Sequence, residues 1–403
     1  MKKNLLILAV AGLALASCSN DETVAVNNND AKAINFRPFV SGVTRAASNS
    51  FAVSNTNAQF KVTAFEHNTE TTPYFAGVDF KGDGTSYWVS DNKYYWPETY
   101  NLDFYAYAPI DGAPVNAVNQ VTPDNTYPYK KFTITPSTTI ASQVDFIYAN
   151  TNQWGKKYES GYHSGKAGVT MNFRHTGSKV NVMVKNSSSA LKFEITGMKI
   201  VNVDGSAVFT YNTPDANNSG ATDRNTDGAG HLQYVDWSDN NDSYTITYAT
   251  PALTTNTIAA STTTAVYLGS NGTTSTSTAD ENISMILIPQ RTTKATAYSA
   301  TTANAAITTG SYIALKMVVK DISNHTIADC TADNKWAIWP VSFTWNPGYI
   351  YTYTIELSGG GYWESNVNGD NDTLDEVLDG TEIKFVTVTV DGWTDGGNTD
   401  VGM

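Results

Sequence analysis

Three oxygen-bearing side chains in the middle of the chain have the spacing of a calcium-binding loop. Asp223, Asn225 and Asp227 alternate in the segment Asp-Arg-Asn-Thr-Asp-Gly, whose glycine stands where such loops turn sharply. An EF-hand would also supply a bidentate Glu at the twelfth loop position, and Tyr234 stands there instead. We therefore interpret the segment as a solvated acidic turn, with calcium as the weaker alternative, and we expect no cofactor.

Residues that could catalyse a reaction lack a recognisable arrangement. The five histidines are far apart and show no paired spacing of a zinc site. Among them, His175 is better explained as a hydrogen-bonded structural residue than as a ligand. No Gly-x-Ser-x-Gly turn, which would hold a serine nucleophile, occurs in the chain. We predict that the protein is not an enzyme.

The amino-terminal residues indicate export. Lys2 and Lys3 precede an apolar run over 5–16, which is too short for a membrane span of roughly 20 residues. The following Leu-Ala-Ser-Cys looks like a bacterial lipobox, which implies a signal peptide over 1–17, cleavage before Cys18 and acylation of that cysteine. An ordinary signal peptide with an incidental cysteine is the alternative. The polar, Asn-rich residues 18–32 are typical of a flexible tether.

Composition and charge favour a large β protein that does not bind nucleic acid. The net charge is -13, and no cluster of Lys and Arg is present to neutralise phosphates. Side chains alternate with period two in several stretches, most clearly from Tyr349 to Leu357, and turn pairs such as Asp204-Gly205 separate them. This pattern predicts half-buried antiparallel strands in β-sandwiches. We place two tandem domains at 46–188 and 189–403, divided within about a dozen residues of the polar stretch 186–189.

Seven segments together resemble the fimbrillin (Mfa-like) family, the lipoprotein-derived subunits of type V pili. They begin with Lys-Tyr-Tyr-Trp-Pro and end with a strand leading to Trp393, they occur in family order, and they span most of the mature chain. The segments are 93–97, 102–109, 144–149, 171–180, 286–290, 345–353 and 383–393.

The resemblance implies a fold and a mode of processing. It implies two transthyretin-like antiparallel β-sandwich domains in a structural or adhesive subunit of a surface fimbria. It also implies a lipid-anchored precursor at the outer membrane, which an arginine-specific protease cuts between Arg45 and Ala46. That cut would remove the segment 33–45, which we expect to contain an edge strand. If residues 34–40 instead lie centrally in a sheet with hydrogen bonds on both sides, or away from both sandwiches, the assembly model fails.

Removal of such a strand has a physical consequence. It leaves unpaired backbone groups beside an apolar groove, which a strand from another fimbrial subunit can fill. The donor candidates are Phe385, Val386, Val388 and Val390 in the C-terminal strand; alternatively, this strand is simply the last one of its own sandwich. The contact would be head-to-tail and would propagate as a filament. A stalk, tip or anchor position stays open.

Aromatic residues give the alternative function. Tyr87, Trp88, Tyr94, Tyr95 and Trp96 lie within one short stretch and could stack on sugar rings. A glycan-binding surface lipoprotein with β-sandwich domains is therefore the alternative. Host or bacterial surface glycans or proteins are candidate partners of the chain in addition to fimbrial subunits. Alternating aromatic residues in strands more often belong to a core, so we favour packing.

Overall fold

The part of the chain that the structure describes forms 24 short β-strands and one 3-10 turn at Leu357–Gly359. The structure, a computed structural model, describes residues 33–40, 59–67, 69, 72–84, 87–108, 121–123, 131–137, 143–155, 163–164, 168–211, 242–247, 257–268, 274–275, 284–295, 310–329, 336–359, 362–363 and 385–392. Within these ranges no helix is long and apolar enough to cross a bilayer. The predicted all-β fold is confirmed, and the transthyretin-like detail stays a prediction.

The first ten strands precede residue 177. They are β1 (Phe36–Val40), β2 (Gln59–Glu66), β3 (Pro73–Gly82), β4 (Trp88–Val89), β5 (Leu102–Ala108), β6 (Val121–Pro123), β7 (Lys131–Ile134), β8 (Ile147–Gly155), β9 (His163–Ser164) and β10 (Val169–His175).

The remaining strands follow Gly177. They are β11 (Ser178–Asn186), β12 (Leu191–Val203), β13 (Ala207–Thr210), β14 (Asp242–Thr247), β15 (Thr257–Ile258), β16 (Thr262–Leu268), β17 (Thr274–Ser275), β18 (Met285–Leu287), β19 (Tyr312–Asp321), β20 (Thr326–Asp329), β21 (Ala337–Pro340), β22 (Tyr349–Glu356), β23 (Tyr362–Trp363) and β24 (Phe385–Gly392).

Eight strands of the first half form one sheet, in the order β10-β1-β4-β3-β2-β5-β8-β9. An additional pairing joins β10, at one end of this order, to β8, which is next to the last strand, so the sheet curls around its own core. Alternation explains the core: in β2, Phe60, Val62 and Ala64 point inwards and are fully buried. Aromatic residues from β3 and β5, including Phe80 and Phe104, complete the same core.

Two sheets of the second half face each other across a shared core. One has the order β17-β16-β11-β22-β24 with β18 beside β11, and the other has the order β14-β12-β19-β21-β23 with β15 and β20 alongside. Valines of β11 and tyrosines of β22 meet isoleucines of β12 and β19 in one apolar cluster. Most strands pair antiparallel as predicted, whereas β1 with β10, β8 with β9, and β11 with β22 are parallel.

The pairing changes from the first group to the second before Ser178. β11 precedes the division that we placed after Ser188, but it pairs with β16, β18 and β22 of the second half. The polar residues 187–189 form a turn between β11 and β12, which lie in facing sheets. Sequence composition marked that turn, and the backbone pairing changes before Ser178, within the margin given for the boundary.

A third, small sheet connects the two halves. β13 of the second half pairs with β7 of the first half, and β7 pairs with β6. Phe209 on β13 lies among aromatic rings of the first half, 5.9 Å from Phe146 and 4.6 Å from Tyr148 between ring centroids. Tyr211 adds a buried hydroxyl that donates to the carbonyl of Ala106. These aromatic contacts join the two halves through a continuous apolar cluster.

Candidate functional site

The segment before the predicted cleavage site contributes β1 to the first core. Its side chains alternate: Ile34 and Phe36 are buried, Asn35 is half-buried and Arg37 is exposed. This period-two pattern is what a strand with one face on a core requires. The sequence prediction of a strand in this segment therefore agrees with the structure.

β1 lies between two strands, which differs from the expected edge position. Its whole length pairs parallel with β10, from Phe36 opposite Val169 to Val40 opposite Phe173. On its other side Phe36 pairs with Trp88, and the Ile34 amide donates to the Tyr94 carbonyl at 2.7 Å. The expectation of an edge strand is thus wrong for the first part of the segment. The reason is that β4, which is distant in the sequence, pairs with β1 on the side opposite β10.

The two sides of β1 are nevertheless unequal. Five residue pairs join β1 to β10, whereas one pair joins it to β4. Upstream of β1, an isolated bridge connects Ala33 to Tyr95. Among the described residues, the backbone from Arg37 to Val40 has a strand partner on the β10 side only. The contact with β4 is therefore short, and the ladder with β10 carries most of the backbone pairing.

A pocket of three phenylalanine rings receives Phe36. Its ring centroid lies 4.6 Å from that of Phe80, 5.2 Å from Phe104 and 5.9 Å from Phe60, and all three pairs are edge-to-face. Such geometry places the positive ring edge against a negative ring face. Phe36 has no solvent exposure. We call this arrangement of Phe60, Phe80 and Phe104 the Phe36 pocket; sequence reasoning did not identify it.

The outer face of β1 is held by a polar contact. The Arg37 guanidinium donates to the Tyr87 hydroxyl at 3.0 Å and lies 4.9 Å from the centre of that ring. Gly168 precedes β10 with φ of 86°, a conformation that favours glycine. A Cβ at Gly168 would lie 3.2 Å from Arg37 Cγ, so the turn into β10 approaches β1 closely.

The predicted donor strand β24 lies at the edge of its own sheet. It pairs antiparallel with β22, from Tyr349 opposite Gly392 to Ile355 opposite Phe385. Among the described strands β22 is its only neighbour. The ladder is irregular at its Phe385 end, because Thr354 pairs with Thr387 and the next pair skips a residue. The structure therefore places Phe385, Val386, Val388 and Val390 in the last strand of the second half.

Several predicted residues lie outside the described part of the chain. They are Cys18, Arg45, Ala46, Asp223, Asn225 and Asp227. Within the described residues, no group of three or more His, Cys, Asp or Glu side chains could hold a metal ion.

A buried polar contact stands at the end of β10, where the chain passes to the second half. His175 Nδ1 lies 2.7 Å from Asp145 Oδ2, and both side chains are almost fully buried. The next residue, Thr176, donates from its hydroxyl to the Phe146 carbonyl at 2.8 Å. Buried polar groups require such partners. The structural interpretation of His175 fits this geometry.

The aromatic stretch near β4 is mostly core. Trp88 is fully buried and Trp96 is 7% exposed, so neither indole can stack on a sugar ring. Tyr95 is 46% exposed, and Tyr74 donates from its hydroxyl to the Tyr95 carbonyl at 2.7 Å. Partial burial, together with nearby Tyr100, raises the pKa of Tyr74 above its usual value. The platform proposed for glycan binding therefore loses its two tryptophans to packing.

The described strands define an all-β protein whose first core is completed by a strand from the N-terminal segment.

Comparison with known proteins gives the family. A model described as fimbrillin-like matches residues 44–393, and the chain belongs to that family. This match confirms the resemblance of the seven segments. It begins one residue before Arg45 and so does not include β1.

One curated relative is the Fimbrium subunit Fim1C from Phocaeicola vulgatus. It is 23% identical over 218 residues, which cover 50% of this chain and 57% of the relative. The alignment therefore spans little more than half of that protein.

Solved structures of low similarity include fimbrial and adhesion proteins. The fimbrial anchor protein Mfa2 from Porphyromonas gingivalis is 10% identical, with a TM-score of 0.33 over 90% of this chain and 99% of that chain. A candidate cell adhesion protein from Bacteroides ovatus is 13% identical, with a TM-score of 0.42 over 90% of this chain and 98% of that chain. These scores are too low to carry an argument, and membership rests on the family model.

Proposed function

We propose that the protein is a non-enzymatic structural or adhesive subunit of a surface fimbria. It is exported as a lipoprotein acylated at Cys18, cut between Arg45 and Ala46, and assembled by β-strand exchange. Membership of the fimbrillin-like family supports the fimbrial role, and the lipobox-like residues before Cys18 support the lipid anchor. The proposed location is the cell surface, with a precursor tethered to the outer membrane.

The observation that carries this proposal is the position of β1. Its buried Phe36 belongs to the first core, and the chain reaches Arg45 soon afterwards. After a cut at Arg45, the segment that contains β1 is held by non-covalent contacts alone. Its departure would expose the Phe36 pocket and free the backbone of β10 for a new strand.

Among the described residues, pairing on the second side of 34–40 is limited to Ile34 and Phe36, so the criterion against the assembly model is met only there, and this position affects the order of events. A strand with neighbours on both sides is harder to lose than an edge strand, because its departure breaks both sets of hydrogen bonds at once. Exchange therefore follows cleavage, and the uncut precursor stays closed. An incoming strand restores pairing to β10 and β4 together. Direct replacement of β1 by the new strand is therefore favoured over a state in which the place of β1 is empty.

The proposed geometry also explains a filament. The position that β1 occupies lies in the sheet of the first half, and the donor strand β24 lies in the second half. Contacts between two different surfaces are head-to-tail and continue from copy to copy instead of closing as a dimer. Other fimbrial subunits are therefore the expected partners.

An arginine-specific protease tests the proposal on purified precursor. The expected products are a chain that begins at Ala46 and a ladder of oligomers on a native gel. The matched control is Arg45→Lys, which keeps the charge but removes the cleavage site. Arg37→Lys is the second control, since cleavage at Arg45 should persist in that variant. A chain cut at Arg45 that remains monomeric at all concentrations would contradict assembly by strand exchange.

A further inference from the structure

The N-terminal and C-terminal strands share a short sequence pattern. Ile34 stands two residues before Phe36, and Ile383 stands two residues before Phe385. An isoleucine followed at this spacing by a phenylalanine occurs at these two places only in the 403 residues. The pattern therefore links the segment that leaves, in the proposed function, with the strand that is the candidate donor.

The shared residues are the ones that β1 buries. Ile34 is 3% exposed and Phe36 is fully buried, while Arg37 beyond them is exposed. The Phe36 pocket is lined by aromatic rings that touch Phe36 edge-on. A valine in the same place would leave part of this pocket empty, and cavities in a packed core are unfavourable. A replacement strand should therefore deliver a phenylalanine.

The position of β24 allows it to be that strand. It has one strand neighbour among the described residues, so its departure leaves the order of the other strands intact. Its ladder with β22 is irregular at the Phe385 end. In the position of β1, β24 would have β10 on one side and β4 on the other. β24 has seven residue pairs with β22, and the position of β1 offers five with β10 and one with β4, so the move keeps a similar amount of backbone pairing.

We propose that Phe385 of a second copy enters the Phe36 pocket, with Ile383 in the place of Ile34. This inference rests on the proposed strand exchange and adds its register. Thr387 then takes the half-buried place of Pro38, and Val386 takes the exposed place of Arg37. A shift by one residue would instead place Val386 in the pocket and reverse every side chain. Phe385 is thus the residue that determines which strand fits.

Disulfide trapping distinguishes these registers. Arg37 pairs with Thr170 on β10, so Val386 of the donor should lie opposite Thr170 of the acceptor. Paired strands are about 4.8 Å apart, which lies within the Cα separation that a disulfide spans. Two cleaved single variants, Thr170→Cys and Val386→Cys, are mixed in a background in which Cys18 and Cys330 are replaced by Ser. The expected product is a disulfide-linked dimer that each variant alone does not give.

The control mixture contains Thr170→Cys and Thr387→Cys, which reports the register shifted by one residue. Linkage in this control but not with Val386→Cys would overturn the proposed register while leaving strand exchange intact. Oligomers without linkage in either mixture would show that another strand or register is used. Absence of oligomers from the unsubstituted cleaved chain would reject strand exchange itself, and the register with it.

A second measurement tests the pocket directly. Cleaved Phe385→Ala protein should lose affinity as a donor by about a hundredfold or more, because a buried phenylalanine is lost from each contact. Val386→Ala is the matched control and should assemble nearly normally. Phe385→Ala copies should still accept the donor strand of an unsubstituted copy. Because they do not donate a strand themselves, they should stop the growth of a filament at that end. Equal loss in both variants would overturn the assignment of Phe385.

Discussion

Replacement of Phe36 by alanine in the uncut precursor tests whether β1 is an integral part of the first core. Phe36 is fully buried and contacts three phenylalanine rings at 4.6 to 5.9 Å. A buried Phe→Ala change typically costs about 3–5 kcal/mol of unfolding free energy. For a domain of roughly 150 residues, each kcal/mol lowers the melting temperature by about 2–4 °C, so we expect a decrease of about 6–20 °C.

The measurement is thermal and urea unfolding of the precursor, with near-ultraviolet circular dichroism as the probe of aromatic packing. The matched control is Arg37→Ala, which changes the adjacent exposed side chain and removes its contact with Tyr87. This control should lose about 1 kcal/mol or less. If Phe36→Ala is no more destabilised than Arg37→Ala, then the Phe36 pocket does not hold β1, and the reasoning about its replacement fails.

Three further changes test other parts of the structure. Gly310→Ala should destabilise the second half by about 2 kcal/mol or more in urea unfolding. The reason is that φ of Gly310 is 82° and an added Cβ would lie 2.4 Å from a backbone atom. An unchanged free energy of unfolding would contradict this backbone geometry. Burial acts to raise the pKa of Glu356, but hydrogen bonds from Ser358 and Ser187 outweigh it, and the pKa is lowered. The stability gained from this carboxylate is therefore present above the pKa of Glu356 in the unfolded chain and is lost as pH falls through its pKa in the folded chain. The difference in unfolding free energy between the unsubstituted protein and Glu356→Gln, measured in urea, should therefore shrink below about pH 4. A difference that stays constant with pH would argue against a lowered pKa. Phe209→Ala should cost about 3 kcal/mol and separate the unfolding of the two halves in calorimetry; one unchanged transition would show that the aromatic cluster does not couple them.

Strands with regular alternation could be predicted from the sequence. In β22 the buried residues include Tyr351, Tyr353 and Ile355, and they follow the predicted period of two. Tyr349, at the start of the same series, is 42% exposed because the core ends before it. Alternation is a local property, since successive side chains of a strand always point to opposite faces.

Partners that are distant in sequence could not be predicted in the same way. Nothing in β1 specifies that it runs parallel to β10 or that β4 lies beside it. That position depends on pairing with β10 and β4, which are both distant from β1 in the sequence. The Phe36 pocket is hidden for the same reason, because its three rings come from β2, β3 and β5 and meet only after the sheet has formed.

The division between the halves illustrates a different limit. Composition identified the polar turn after β11, which is a real feature of the chain. The pairing of β11 with β22 depends on residues more distant in the sequence, from Lys179 opposite Ile350 to Lys185 opposite Glu356. The polarity of a short stretch does not indicate which distant strand pairs with its neighbours.

The parallel ladder between β1 and β10 has a mechanical consequence for a fibre. A strand in this seat would be pulled along its own axis when neighbouring subunits are drawn apart. Its five pairs with β10 would then be loaded together in shear, instead of opening one after another. The small sheet of β6, β7 and β13 would pass the same tension from the first half to the second. Resistance to stretching would thus follow from strand direction and not from the number of contacts alone.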